Sequence, residues 1–383
     1  YERRGPGRKK CLCRKTQAGF LEISETTLNA SYSHLYRYSI PFSEPVTVKG
    51  CRLHHREGIV LALKSGDGKS AAYGEIAPLP GLHNEPLPAA EQQLMEVLTK
   101  HDFSPSGPLS GELYPSVRTG LEMALFNLEA QSSQQPPHLS ERAPAEAVTL
   151  NALLFGDTAT VEKRADEYYR QGYRTFKLKV NAAGAEEALR SIRMLKSTYK
   201  GSIALRLDAN QSMSLDEAIE FGRNLPEESI EYIEEPLKNP EQIEELHART
   251  SIPSALDETL WQNPELAGRI RSECLKAYVL KPNRLGGIKA TLALAEQARN
   301  KNLQTVFSST FESGISLSFY TWMAACCASR PAACGLDTFR FLKHDLLDTP
   351  FGPVNARLDT QNLYWSGQKV ALRSIKLTSI WTL

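Results

Sequence analysis

Side chains that could do proton or metal chemistry recur along this chain at nearly even steps: Lys179, Asp208, Glu234, Asp257, Lys281 and the pair Ser308-Ser309. The steps are 29, 26, 23, 24 and 27 residues, and each site closes a short apolar run, such as "TFKLKV", "SIALRLDAN" or "AYVLKP". Neighbouring strands of a sheet lie about 4.8 Å apart. Carboxylates pointing the same way from three successive strands would therefore converge, and they stay ionised together only around a cation. An all-oxygen donor set with room for water and substrate suits Mg2+, or Mn2+, better than zinc. Taken singly, Asp208 or Asp257 could cap a following helix, and Glu234 could face solvent. Their shared place on consecutive runs argues for a metal bed.

The elements that must position these residues follow from the same spacing. Helix-length amphipathic segments lie between the apolar runs: "TVEKRADEYYRQG" ends at a Gly, and "SLDEAIEFGRNL" opens at a Ser cap. With "VTLNALLF" ahead of the series and "AACGLDT" behind it, eight strands alternate with helices. That repeat predicts a (β/α)8-type barrel. A doubly wound open sheet is disfavoured because no Gly-rich phosphate turn follows the first strand.

Chemistry in such barrels sits at the C-terminal ends of the strands. Lys179 ends the second strand and Lys281 the sixth, on opposite walls, with the three acids along the arc between them. Two opposed ammonium groups beside a metal bed could serve either face of a carbon next to a carboxylate. Lys177 shares a strand face with Lys179. On an isolated strand both lysines would be solvated. In a barrel mouth, the Lys177 charge, burial and a nearby cation are expected to lower the Lys179 pKa from its ordinary value near 10.4, so that it can act as a base.

Ahead of the barrel, "HLYRYSIPF", "VTVKGCRLHH" and "GIVLALKS" read as strands, with "GDGKS" as a hairpin turn. Helices are expected over 88–100 and 115–130, the second with Val117, Leu121, Leu125 and Leu128 on one stripe. The chain thus divides into a basic extension over 1–30, an α+β domain over 31–140, a barrel over 147–345 and a C-terminal segment over 346–383 that packs back on the first domain. In that last segment "LDTQNLYWSGQKVAL" reads as a hairpin around Ser366-Gly367.

Composition narrows the function classes. The 383 residues are 41% hydrophobic and 23% charged, with no apolar run long enough to span a membrane. A net charge of +1 gives no reason to expect a nucleic-acid partner; the basic excess is confined to residues 1–17, whose seven Lys and Arg face only Glu2. That stretch reads as a disordered extension outside the fold. Seven scattered cysteines form no disulfide framework and point to reduced thiols in a cytoplasmic protein. None of these features sets an oligomeric state.

The motifs themselves resemble the enolase superfamily, in its branch with paired lysines. They are K-x-K (Lys177, Lys179), D-x-N (Asp208, Asn210), "EEP" (Glu234), "DE" (Asp257, Glu258) and "KP" (Lys281), and the resemblance covers about residues 32 to 345. It implies a (β/α)7β barrel under an α+β capping domain, with Mg2+ held by Asp208, Glu234 and Asp257, and Asn210 and Glu258 beside them. Three further stretches, "GEIAPLPG" (74–81), "LRLDAN" with Arg206, and "SSTFESGI" (308–315), are similar to the superfamily's dehydratases of menaquinone biosynthesis.

That likeness implies a small carboxylate substrate, 2-succinyl-6-hydroxy-2,4-cyclohexadiene-1-carboxylate. Lys179 would take the proton α to the carboxylate and return it to the departing hydroxyl. Lys281 would stabilise the enediolate from the other face. Ser308, Ser309, Glu312 and Gly314 would shape the pocket. Arg206 could orient Lys179 or a carboxylate, or belong to a structural ion pair. The same lysine pair also suits a racemase or epimerase of the superfamily, and a barrel kept only for binding is a third reading.

Overall fold

In the computed structural model, residues 32–64, 71–99, 109, 111–226, 230–327 and 332–382 are described. The basic extension and the "GDGKS" turn lie outside them. Alternating apolar residues form two long antiparallel strands, β1 (Tyr32–Val48) and β2 (Cys51–Lys64). The turn between them is Lys49-Gly50, both at positive φ (43° and 85°), as a two-residue hairpin requires. "VTVKGCRLHH" is therefore not a strand of its own, because the turn lies inside it. β3 (Ala71–Ile76) pairs with β2. Helices α1 (Leu87–Thr99) and α2 (Pro115–Ser133) cover one face of this sheet. Val117, Leu121, Leu125 and Leu128 are buried there against Leu35, Ile59, Leu61 and Leu94. The approach is close: a Cβ on Gly74 would run into the carbonyl of Gly120.

Beyond β4 (Ala147–Thr149), seven parallel strands follow in sequential order: β5 (Asn151–Leu154), β6 (Thr175–Lys179), β7 (Ala204–Asp208), β8 (Ile233–Glu234), β9 (Ser254–Leu256), β10 (Leu275–Leu280) and β11 (Gln304–Phe307). The eighth strand is reduced to two bridging residues. Cys334 pairs with Leu150 and Gly335 with Ser308, and these bridges close the cylinder. The intervening helices are α3 (Thr158–Arg170), α4 (Ala185–Tyr199), α5 (Leu215–Arg223), α6 (Ile243–Thr250), α7 (Glu258–Gln262), α8 (Pro264–Arg269), α9 (Ile288–Asn300) and α10 (Gly314–Cys327). Local chemistry starts them as expected: Asp157 accepts from Thr160 N ahead of α3, and Ser214 with Glu217 forms a capping box on α5. The architecture is a (β/α)7β barrel with a separate antiparallel capping domain.

The tail departs from the hairpin read in the sequence. After β12 (Arg357–Asp359), which pairs with β4, residues Thr360–Ser366 form a helix, α11, capped by Asp359 accepting from Asn362 N. Buried Tyr364 holds this helix down, with its ring near Trp322 and Phe319 of α10. The last strand, β13 (Lys376–Thr382), pairs with β1 and completes the sheet order β13-β1-β2-β3. Among the described residues no helix is long and apolar enough to cross a membrane.

Two buried side chains fasten the capping domain to the barrel. Arg56 of β2 donates to the carbonyls of Ala77, Pro78 (3.0 Å) and Phe311 (3.1 Å). Glu75 of β3 caps α10. Its Oε1 accepts from Tyr38 Oη (2.5 Å) and Ser313 N (3.0 Å), and its Oε2 from Ser313 Oγ (2.9 Å) and Ser316 N (3.2 Å). Each oxygen thus faces one backbone N–H, so an amide in either orientation would set its NH2 against a donor. Glu75→Gln should lower unfolding stability by about 1–3 kcal/mol; urea unfolding with the parent midpoint would show that the cap is dispensable.

Candidate active site

Strand register delivers the charged side chains to one end of the barrel. Lys179 pairs with Asp208 and Asp208 with Glu234 across three adjacent strands. Asp257 and Lys281 each stand one residue past the end of their strands. Period-2 alternation places Arg206, Tyr232, Ala255 and Val279 on the same side one layer deeper. Small residues there (Ala255, Ala277, Val306, Ala332) pack with Tyr232 as a dry interior cluster, which forms the floor under the charges.

The carboxylates and lysines interlock. Lys177 Nζ lies 2.7 Å from both Asp208 Oδ2 and Glu234 Oε1. Lys179 Nζ reaches the same Asp208 oxygen at 2.7 Å and Asn210 Oδ1 at 2.6 Å. Asn210 Nδ2 donates in turn to Glu258 Oε1 at 3.1 Å. Lys281 is paired with Asp257 and lies 5.6 Å from the centre of the Trp261 ring. Side-chain exposure separates the three lysines: 12% for Lys177, 14% for Lys281 and 38% for Lys179. Lys179 is the one most open to a ligand.

Burial alone would lower the Lys177 pKa, but Asp208 and Glu234 outweigh it and hold it well above the ordinary value. Its charge is therefore matched by the acids. The like charge that the sequence places beside Lys179 thus stands between two carboxylates. Burial likewise opposes the charge on Lys281, and Asp257 and Glu258 raise its pKa nonetheless. For Asp208, burial favours the neutral acid, yet Lys177 and Lys179 keep its carboxyl below the usual range. Asp257 goes the other way: burial, with Glu258 and Glu234 close by, pushes its carboxyl up in spite of Lys281. The contact between them is that of an ion pair, and Lys281 stays an ammonium against Asp257.

Among the described residues no three His, Cys, Asp or Glu side chains stand together as a ready ligand shell; Lys177 lies between two of the acids and Lys281 takes the third. The residues nonetheless fit a hard divalent cation. Asp208, Glu234 and Asp257 are all buried oxygen donors on consecutive strands. Asp257 Oδ1 and Glu258 Oε2 are buried without a hydrogen-bond partner, and acids that repel one another beside orphaned oxygens are what a cation relieves.

Other residues singled out in the sequence are placed differently from one another. Ser308 and Ser309 both turn towards Gly335 O, and Ser309 Oγ also meets Thr338 Oγ1 at 2.8 Å. Glu312 is buried and spent on its own turn, accepting from Thr310 N and Thr310 Oγ1. Gly314 opens α10 against Asp345, where a side chain would collide.

Arg206 contacts neither Lys179 nor a metal-bed acid. It donates to Glu231 Oε2 and to Ala333 O, each at 2.6 Å, with its guanidinium 5.3 Å from the Tyr232 ring centre. Glu235 was not singled out, although it holds Asp257 in place. Its carboxyl accepts from Asp257 N, Thr259 N, Thr259 Oγ1 and Gln211 Nε2. The "EEP" doublet was the only signal for it.

The comparisons agree with this architecture. Residues 160–363 match the family model described as enolase C-terminal domain-like, and residues 30–128 match that of the MenC N-terminal domain. The chain belongs to the enolase superfamily. Its curated relatives include the o-succinylbenzoate synthase of Haemophilus influenzae, 31% identical over 82% of this chain and 92% of that one. The o-succinylbenzoate synthase of Aliivibrio salmonicida is 31% identical over 87% and 98%. The chloroplastic protein PHYLLO of Arabidopsis thaliana is 30% identical over 78% of this chain, which spans only 20% of PHYLLO's length. Among solved structures, the L-Ala-D/L-Glu epimerase of Bacillus subtilis shares the fold at a TM-score of 0.75 and 18% identity, covering 86% and 96% of the two chains.

The position of Arg206 generates a test. Arg206→Met removes the donor to Ala333 O deep in the barrel and should cost about 1–3 kcal/mol. Unchanged stability in urea would remove the Arg206–Glu231 pair from the scaffold.

Proposed function

We propose that the chain is an o-succinylbenzoate synthase, a lyase that dehydrates 2-succinyl-6-hydroxy-2,4-cyclohexadiene-1-carboxylate to 2-succinylbenzoate in menaquinone biosynthesis. The observation that carries this reading is an exposed lysine, Lys179, and a buried one, Lys281, on either side of three buried carboxylates, under a capping domain of the MenC type. Asp208, Glu234 and Asp257 would hold Mg2+, or Mn2+ by the same oxygen chemistry. That ion supplies positive charge against the substrate carboxylate as its α-carbon loses a proton.

Lys179, as the free amine, takes the proton from the carbon α to the carboxylate. The C–H electron pair moves into the enediolate. Lys179, now an ammonium, gives a proton to the hydroxyl leaving from the same face; the C–O bond breaks, water departs and the ring becomes aromatic. One lysine suffices because both events lie on one face. Asn210 accepts from Lys179 and steadies it. Lys281 presents a fixed positive charge to the opposite face and moves no proton. The same opposed pair would serve a racemase or epimerase, but there both lysines would have to exchange protons.

Loss of cyclohexadiene absorbance should require divalent metal and stop with EDTA. Lys179→Arg should lower turnover by about 10²–10⁴-fold, the usual worth of a positioned acid or base, while Lys281→Arg keeps measurable dehydration. Equal loss in both variants, with α-proton exchange on both faces of the parent, would favour the racemase. The absence of metal-dependent turnover would overturn the named reaction. Titration calorimetry on Asp257→Asn should show Mg2+ affinity weakened by about 100-fold or more; unchanged affinity would remove Asp257 from the ligand set.

A further inference from the structure

The turn that carries Lys281 is built by the barrel but held by the capping domain. Arg284 N and Leu285 N donate to Lys281 O at 2.8 and 3.0 Å, closing the turn on itself. Three capping-domain groups then grip it. Thr119 Oγ1 of α2 shares its one proton between Pro282 O at 2.9 Å and Pro115 O of its own helix at 2.8 Å. Ala77 O accepts from Asn283 Nδ2 at 2.8 Å. His83, in the loop after β3, meets Asn283 O through Nε2 at 2.9 Å, across 200 residues of sequence.

His83 is buried, and its geometry fixes its tautomer. Leu79 N donates to Nδ1 at 2.9 Å, so Nδ1 carries no proton and Nε2–H is the donor to Asn283 O. A second proton would set N–H against N–H. Consistent with this, burial and then the Arg284 charge push the imidazole down to about 3.

We propose that His83 is a positioning residue for Lys281: its neutral, Nε2-protonated ring holds the 281–285 turn so that the Lys281 ammonium faces both Asp257 and the substrate. The seating of the capping loop and the placement of Lys281 are then one event. The catalytic part of this inference rests on the dehydratase reading.

The test compares His83→Phe, which removes the donor, with His83→Gln, whose amide NH2 can still reach Asn283 O. Each is made in the parent and in Lys281→Arg. In the parent, His83→Phe should lower kcat by about 10-fold, as a modest misplacement of a charge does. KM should stay within about twofold, because Lys281 acts on the intermediate. His83→Gln should recover most of the loss, and His83→Phe should add nothing in the Lys281→Arg background. An equal fall in both backgrounds, no fall in the parent, or a His83→Gln as damaged as His83→Phe would overturn the proposal.

Hydrogen exchange of the Arg284 and Leu285 amides gives a readout that needs no turnover. It should quicken by about 10-fold or more in His83→Phe while distant barrel amides keep the parent's protection. Unchanged exchange at these two amides would overturn the proposal even if the chain dehydrates nothing. A parent without dehydratase activity but with the exchange change would leave His83 holding the turn and would sink only the named reaction.

Discussion

Three carboxylates buried side by side are the constraint around which this molecule is arranged. Moving one such charge out of water costs several kcal/mol even after the surroundings relax, and like charges on adjacent strands add to that. The chain offsets the cost with lysines from the same ring of strands: Lys177 between Asp208 and Glu234, Lys179 on Asp208 and Lys281 on Asp257. The balance is deliberately incomplete at one place. Asp257 keeps one oxygen without a partner beside Glu258, which also keeps one. A site that satisfied every acid internally would have no reason to bind a cation or a substrate carboxylate.

Holding such charges at fixed separation requires a rigid frame on every side, and each side is supplied differently. Below, small apolar residues and Tyr232 fill the barrel under the acids. Around the rim, Glu235 takes the amide protons of Asp257 and Thr259 and so fixes the backbone of the fifth strand end. Above, Arg56 and Glu75 tie the capping domain to the loop and helix that follow β11. Glu75 occupies the N-terminus of α10, a position where a helix would otherwise attract a free anion. These directional contacts stand beside apolar ones, such as Phe126 against Phe319 and Phe42 against Phe311, and orient the two halves in a way that apolar contact alone would not.

The parts of this arrangement that repeat were legible in the sequence. The step of 23 to 29 residues placed Lys179, Asp208, Glu234, Asp257 and Lys281 at strand ends because strand and helix lengths are local properties. Less legible was whatever depends on contacts across the chain. The turn at Lys49-Gly50 was hidden because it lies inside a run with strand composition. Helix α11 was missed because its cap, Asp359, sits in a segment rich in turn-forming residues, and its burial comes from α10. The contacts of Glu312 with Thr310 and of Gly314 with Asp345 likewise follow from how the turn folds and not from any local pattern. Arg206 shares a face with Asp208, but one layer of depth separates it from the chemistry.

The two lysines of "KLK" show how depth also divides labour between residues of one type. Both donate to the same oxygen of Asp208 at 2.7 Å, so that contact does not distinguish them. Their position along the strand does. Lys177 is two residues deeper, and from there it reaches a second acid, Glu234, and is less open to solvent. Two carboxylates lie against it there, and they hold its pKa well above the ordinary value in spite of burial. Lys179, at the strand end, has one acid and the neutral Asn210 as partners and remains open on its outer side. A side chain that is to meet a ligand must be reachable from outside the barrel. Of the two, the outer lysine is the one open enough to touch a ligand, at 38% side-chain exposure against 12%.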